Sequence, residues 1–319
     1  MDVAYLIICH KNPNQVLRLI DRLSQGEGDV FVHIDQDAPQ DMVSQLSAHC
    51  KGNKCFLVHD RLHGGLDCRR MIDITMNCIK EARMHAAQAG KQYRYFLLLS
   101  GQDYPIVPAA QIEEQLSRIY PAPILDCTKA EYGNWVAKKF ERNRYLVHYR
   151  DFVLNRSRGP LRFLLQTFGV LQRLVLRLCG ATTMQRMARE NISLFGGSAW
   201  WILPDTLAEK IFTEYGAKTK LSETILEESV TPEETYFQTM AMQTAFSSRI
   251  HLNGPQDTAQ NCKTYADFGG RSGRPPVCHP YILTSADFDR LKASGCWFAR
   301  KFDEQVDTSL MDRIDSELL

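Results

Sequence analysis

An α/β fold with a mostly parallel sheet flanked by helices is what this 319-residue sequence predicts. Unbroken apolar runs at Val3–Cys9, 30–34, 55–58 and 95–99 alternate with segments of helical spacing. Strands apolar on both faces belong to parallel sheets covered by helices on both sides. Each run also ends in a polar turn: His10-Lys11, Asp35-Gln36-Asp37, His63-Gly64-Gly65 after Asp60, and Ser100-Gly101-Gln102-Asp103. In open sheets, ligands bind outside the carboxyl ends of the strands, so these turns share one rim and mark a nucleotide-type cleft. No GxGxxG or GxxxxGK[ST] occurs, which disfavours a standard dinucleotide or P-loop site.

The elements follow in order. Asn12-Pro13 opens a helix whose apolar Val16, Leu17, Leu19, Ile20 and Leu23 recur at helical spacing, with Gly26 beyond. A second helix is predicted over 39–49 and a long third over 67–86. Residues 124–127 read as a strand. The loop after it is crowded with Trp135, Lys138, Lys139, Arg142, Arg144, Tyr145, His148 and Tyr149. From 155 to 189 there is no Asp or Glu, while Arg156, Arg158, Arg162, Arg173, Arg177, Arg186 and Arg189 interleave with apolar residues. A basic amphipathic helix signals a membrane surface. The same pattern fits a helix packed on the body with a solvated arginine face. Residues 196–203 predict a strand in which Trp200 and Trp201 alternate, one facing outward and one filling the core. A helix over 205–215, a strand over 249–252, a Gly/Arg/Pro loop over 269–276 and a helix over 285–293 complete the chain. Without repeats or low-complexity linkers, one domain over 1–319 with a helical insertion at 151–190 is expected.

Composition excludes some functions. Net charge is +1, so no global attraction to nucleic acid is implied. The run at 3–9 is too short for a signal-peptide core or a membrane span. Ten cysteines without a CxxC pair argue against structural zinc, and most are expected as reduced core residues. A cytoplasmic protein, peripheral to the inner membrane face if the basic helix binds lipid, is the expectation.

Thr231-Pro232-Glu233-Glu234 has the spacing of a capping box, with proline at the first helical position. A carboxylate at a helix start is held by the dipole and free N–H groups, and there it can also accept a proton. Capping and catalysis are therefore compatible readings of Glu234. Asp103, at a strand end by the cleft, is the alternative base.

Taken together, several segments resemble the core-2/I-branching β-1,6-N-acetylglucosaminyltransferase family, which includes the peptide O-xylosyltransferases. They are Ala4-Tyr5-Leu6-Ile7 with His10-Lys11, Val32-His33-Ile34-Asp35, Leu98-Leu99-Ser100-Gly101-Gln102-Asp103-Tyr104-Pro105-Ile106, Gly197-Ser198-Ala199-Trp200, Thr231-Pro232-Glu233-Glu234 and Phe298-Ala299-Arg300-Lys301-Phe302-Asp303. The resemblance implies a GT-A-type fold and an inverting transfer from a UDP-sugar, N-acetylglucosamine first and xylose next. The acceptor would be a hydroxyl of a glycan, glycolipid or protein. Carried over by motif, Glu234 is the base, Lys301 contacts the donor diphosphate and Asp35 contacts the uridine part. A second basic residue upstream falls on Arg274 rather than Arg271. His10, His63, Gly64, Ser100, Gly101 and Asp103 complete the expected donor site, with Trp200 and Trp201 toward the sugar.

The chemistry wants these residue types. Charge grows on the leaving diphosphate, and fixed cations can neutralise it without a metal. An arginine grips two oxygens, while lysine acts as a point charge. The resemblance implies no metal and no cofactor, although Asp35-x-Asp37 matches a metal motif by its letters. A non-catalytic nucleotide-sugar-binding protein of the same fold is the alternative.

Overall fold

The computed structural model describes residues 2–51, 54–64, 68–148, 153, 159–253, 259–270 and 272–319. Gly65, Tyr149, Arg156, Arg158 and Arg271, all named above, lie outside them. A six-stranded sheet forms the centre. Its strands are β1 (Val3–Cys9), β2 (Asp29–Ile34), β3 (Cys55–Leu57), β4 (Tyr95–Ser100), β6 (Ile124–Leu125) and β9 (Trp201–Pro204), in the order β3-β2-β1-β4-β9-β6. The four strands β1 to β4 pair in parallel, and β9 runs antiparallel to both neighbours. Parallel neighbours need crossovers, and helices Pro13–Leu23, Gln40–Cys50 and Cys68–Ala89 supply them.

The buried runs explain this layering. All six residues of β2 and of β4 are buried. Along β1 the faces alternate: Val3, Tyr5 and Ile7 join one core with helices Pro13–Leu23 and Gln40–Cys50. Ala4 and Leu6 join the other, with helices Cys68–Ala89, Asp205–Gly216 and Tyr236–Met242. In the first helix Val16, Leu19, Ile20 and Leu23 are buried, as their spacing predicts.

Two small sheets complete the frame. One joins β5 (Asp103–Pro105), β10 (Thr264–Ala266) and β11 (Phe298–Arg300), and the other β7 (Thr128–Lys129) and β8 (Phe195–Gly196).

Several expectations need correction. The strand expected over 196–203 is two strands in different sheets, because Gly197–Trp200 turns between them. No strand forms over 249–252; a 3-10 turn, Ala245–Arg249, ends there in extended coil. Helices Ala109–Ile119, Lys220–Glu228 and Ser309–Glu317 were not anticipated. Cys50 and Cys55 form a disulfide, whereas Cys9, Cys78, Cys127, Cys262 and Cys296 are buried and form no disulfide among the described residues.

Candidate donor and acceptor site

The strand order reverses at β1, which has β2 on one side and β4 on the other. A crevice opens at such a switch point, and the turns after β1 and β4 line it. Asn12 adopts a left-handed conformation there, φ 57°, ahead of the first helix. Asp303 grips this turn, accepting from Lys11 Nζ at 2.6 Å and from Asn12 Nδ2 at 2.9 Å. Burial raises the Asp303 pKa, but the donated bonds outweigh it and hold the carboxyl below its usual range.

Gln15 ties three segments together. Its Nε2 donates to Gly101 O at 2.7 Å and Phe302 O at 3.2 Å, and its Oε1 accepts from Glu304 N at 2.9 Å. Gln15 was overlooked in the sequence. Its signal was a polar residue on the apolar face of the first helix.

At the end of β2, Asp35 accepts from Asp37 N at 2.9 Å and Gly64 N at 2.8 Å. A Cβ on Gly64 would lie 2.8 Å from Asp35 Oδ2, so a larger residue would crowd the carboxylate. Burial raises Asp35, yet the two N–H bonds and the neighbouring histidines hold it below its usual pKa. Beneath it, His33 accepts from Leu62 N at 2.9 Å. Burial lowers the His33 pKa to about 4, so this imidazole is neutral near pH 7. His63 Nδ1 lies 2.6 Å from Asp37 and 3.9 Å from Asp35. The ligand atoms of Asp35, Asp37 and His63 sit within 4.8 Å of one another, close enough to hold a metal ion. Each already has a partner within the two loops.

The third wall comes from β11. It runs antiparallel to β5, which sets Arg300 opposite Asp103 and delivers Lys301 to the crevice. Asp103 has no exposed surface, accepts from Ser100 N at 2.7 Å and faces Arg300 at 3.4 Å. Burial pushes its carboxyl up against the pull of Arg300 and Ser100. Full burial and the pairing with Arg300 weigh against Asp103 as the alternative base. Arg300 stacks 4.2 Å over the Trp200 ring. Lys301 makes no ion pair among the described residues, and burial, Arg300 and Lys11 lower its pKa. Burial, Lys11 and Lys301 likewise depress His10, against Asp35. His10 is thus within electrostatic reach of Lys11, Asp35 and Lys301.

Ser100 and Gly101 shape the β4 turn. Gln102 N donates to Ser100 Oγ, and Gly101 N to Ile8 O. Arg274 is held by Asp267 at 3.0 Å and Asp287 at 3.1 Å, over the ring of Tyr281. Tyr281 O accepts from Lys301 N, so the arginine loop borders the Lys301 strand.

Glu234 ends a 3-10 turn, Pro232–Glu234, and not the first turn of an α-helix; the helix starts at Tyr236. Thr231 makes no cap. Its hydroxyl donates instead to Glu234 Oε2 at 3.0 Å, beside Lys139 Nζ at 2.7 Å. Oε1 has no partner among the described residues, and the side chain is partly exposed. Glu234 O accepts from Gly197 N at 2.8 Å. Gly197 tolerates no side chain, because a Cβ would fall 1.8 Å from Asp126 O. Asp126 accepts from Ser198 N, and Ser198 Oγ accepts from Trp200 N. The turn therefore joins Glu234 to Trp200 and, through its ring, to Arg300 beside Lys301. Trp201 is 1% exposed and packs on Phe237 in the core. The expectation that Trp201 lies toward a sugar is corrected, because it fills the core; of the two tryptophans Trp200 is the partly exposed one, against Arg300.

A model of the Core-2/I-Branching enzyme family matches residues 3–292. Over 99% of its length the chain is 20% identical to a beta-1,3-galactosyl-O-glycosyl-glycoprotein beta-1,6-N-acetylglucosaminyltransferase 4 of Danio rerio, covering 69% of it. The mouse protein of that name is 21% identical, with 99% and 65% covered. Beta-glucuronosyltransferase GlcAT14B of Arabidopsis thaliana is 22% identical, with 99% and 66% covered. The chain thus spans about two thirds of the length of these relatives. Its mostly parallel sheet with a switch-point crevice agrees with a GT-A-like fold. The chain belongs to the Core-2/I-Branching enzyme family, a family of glycosyltransferases.

Proposed function

We propose that the chain is a single-domain, inverting, metal-independent glycosyltransferase using a UDP-sugar. N-acetylglucosamine is the first donor to test and xylose the next. The plant relative's name adds glucuronic acid to the panel. The observation that carries this reading is Lys301: a partly desolvated ammonium with no ion pair among the described residues, crowded by Arg300 and Lys11 against the weaker pull of Asp103. Such a group asks for an anion.

In the proposed reaction the uridine part lies toward Asp35 and the diphosphate toward Lys301 and Lys11, with Arg274 as the bordering arginine. Charge developing on the leaving diphosphate is met by cations already in place, which need no reorganisation at that moment. Trp200, fixed by Arg300, offers a face to the sugar. Glu234 takes the proton of the attacking hydroxyl on Oε1 while Lys139 and Thr231 fix Oε2. The acceptor is a hydroxyl of a glycan, glycolipid or protein, and the site of action is the cytoplasmic side.

A second reading, donor binding without turnover, draws on the engagement of Glu234 by Lys139. Incubation with UDP-sugars in EDTA, following UDP release, separates the two. Slow hydrolysis of one donor is expected. Binding without release from any donor, across a range of acceptors, would favour the second reading.

A further inference from the structure

Helix Gly159–Leu178 wears its hydrophobic residues on the outside. None of its described residues is buried, and Phe163, Leu164 and Leu178 are 70%, 65% and 77% exposed. At 100° per residue, Phe163, Leu164, Phe168, Leu171, Leu174 and Leu178 fall on one outward arc of about 140°. The opposite arc, with Leu165, Gly169, Gln172 and Leu176, is half-covered by the body. An ordinary surface helix turns its apolar stripe inward, so this one is inverted.

The charges say what covers it. Arg162, Arg173 and Arg177 lie on the flank between the two arcs and make no ion pair among the described residues. The sequence from 155 to 189 has no carboxylate to offset them. Beside the helix an apolar groove of about 340 Å³ is walled by Asn143, Tyr145 and Leu146, and Tyr145 is 81% exposed. An apolar arc, a basic flank and an adjoining exposed tyrosine suit a helix lying in a bilayer interface. The span Arg162–Arg189, to which this helix contributes, is long and apolar enough by length and composition to cross a membrane. Crossing would strand Arg173 in hydrocarbon and strip the half-covered arc from the body.

We propose that helix Gly159–Leu178 docks the enzyme flat on an anionic membrane surface, with the apolar arc in the acyl boundary and the arginines among the headgroups. The inference stands independently of the donor and base assignments. Binding then has two parts, apolar burial and attraction to anionic lipid, and salt screens the second.

The test is sedimentation with vesicles of phosphatidylglycerol and phosphatidylcholine in equal parts, against phosphatidylcholine alone. At low salt the protein should sediment with the anionic vesicles at least tenfold more, and high salt should release most of it. Phe163→Asp with Leu164→Asp should abolish sedimentation while leaving circular dichroism unchanged, since both residues are mostly exposed and lie outside the groove lining. Arg162→Gln with Arg173→Gln and Arg177→Gln should remove only the preference for anionic lipid. Sedimentation indifferent to lipid charge, or none, overturns the proposal. So does a stable dimer in light scattering that the two aspartates disperse, for then a second copy covers the arc.

Discussion

Lys139 holds Glu234 from 95 residues away in sequence, its Nζ 2.7 Å from Oε2, on the side where Thr231 also donates. The pair leaves Oε1 without a partner among the described residues. Glu234→Gln should lower turnover about 10²–10⁴-fold with donor affinity nearly unchanged. Lys139→Ala should lower kcat about tenfold through loss of orientation, with donor KM unchanged. Near wild-type rates in Glu234→Gln, measured as UDP release with acceptor present, would return Glu234 to a purely structural role.

The diphosphate assignment sets cations against a metal. EDTA should do little, and Lys301→Ala should cut kcat by about 10²–10³-fold, since the leaving charge loses its counter-charge as it develops. Asp35→Asn should weaken donor binding without any new response to metal. If EDTA abolished transfer and Mn²⁺ restored it, Asp35, Asp37 and His63 would become metal ligands.

Asp103 and Arg300 form a buried pair at 3.4 Å. Asp103→Asn leaves a guanidinium in the core with no counter-charge, and should destabilise the fold by about 3–5 kcal/mol in denaturant titration. Arg300→Met should lose less stability, while freeing Trp200 and raising donor KM. An Asp103→Asn variant with full stability and no turnover would contradict the assignment.

Acid should loosen the Asp35 end of the site. His33 has its pKa lowered from 6.5 to about 4 by burial and by Arg61, against the pull of Asp35. The unfolded chain then binds the extra proton more readily, so stability is full above 6.5 and falls as pH drops toward 4. Across that window the loss is at most about 3 kcal/mol. His33→Gln should flatten the stability–pH curve; an unchanged slope would show that other groups set it.

Much of this arrangement was legible in the chain, and the physical divide is distance in sequence. Strand ends and helix faces follow from local periodicity, so the rim of His10, Asp35, His63 and Ser100 was readable. So was one buried face along Val16, Leu19, Ile20 and Leu23. Letters could not say that Asp103 meets Arg300 across a strand pairing, or that Lys139 reaches Glu234. Those contacts depend on how distant segments pack. Thr231 was misread because its hydroxyl prefers a carboxylate over a backbone N–H. The two tryptophans were readable only as a pair; the turn forced by Gly197 decides which one points out.

Gln15 and Asp303 fasten residues 11–15 to residues 301–304. The turn after β1 and the segment after β11 are thus closed on each other by contacts spanning 287–292 residues of sequence. Contacts of such separation form only after the entropy of closing a long loop has been met, so this wall of the crevice assembles late in folding.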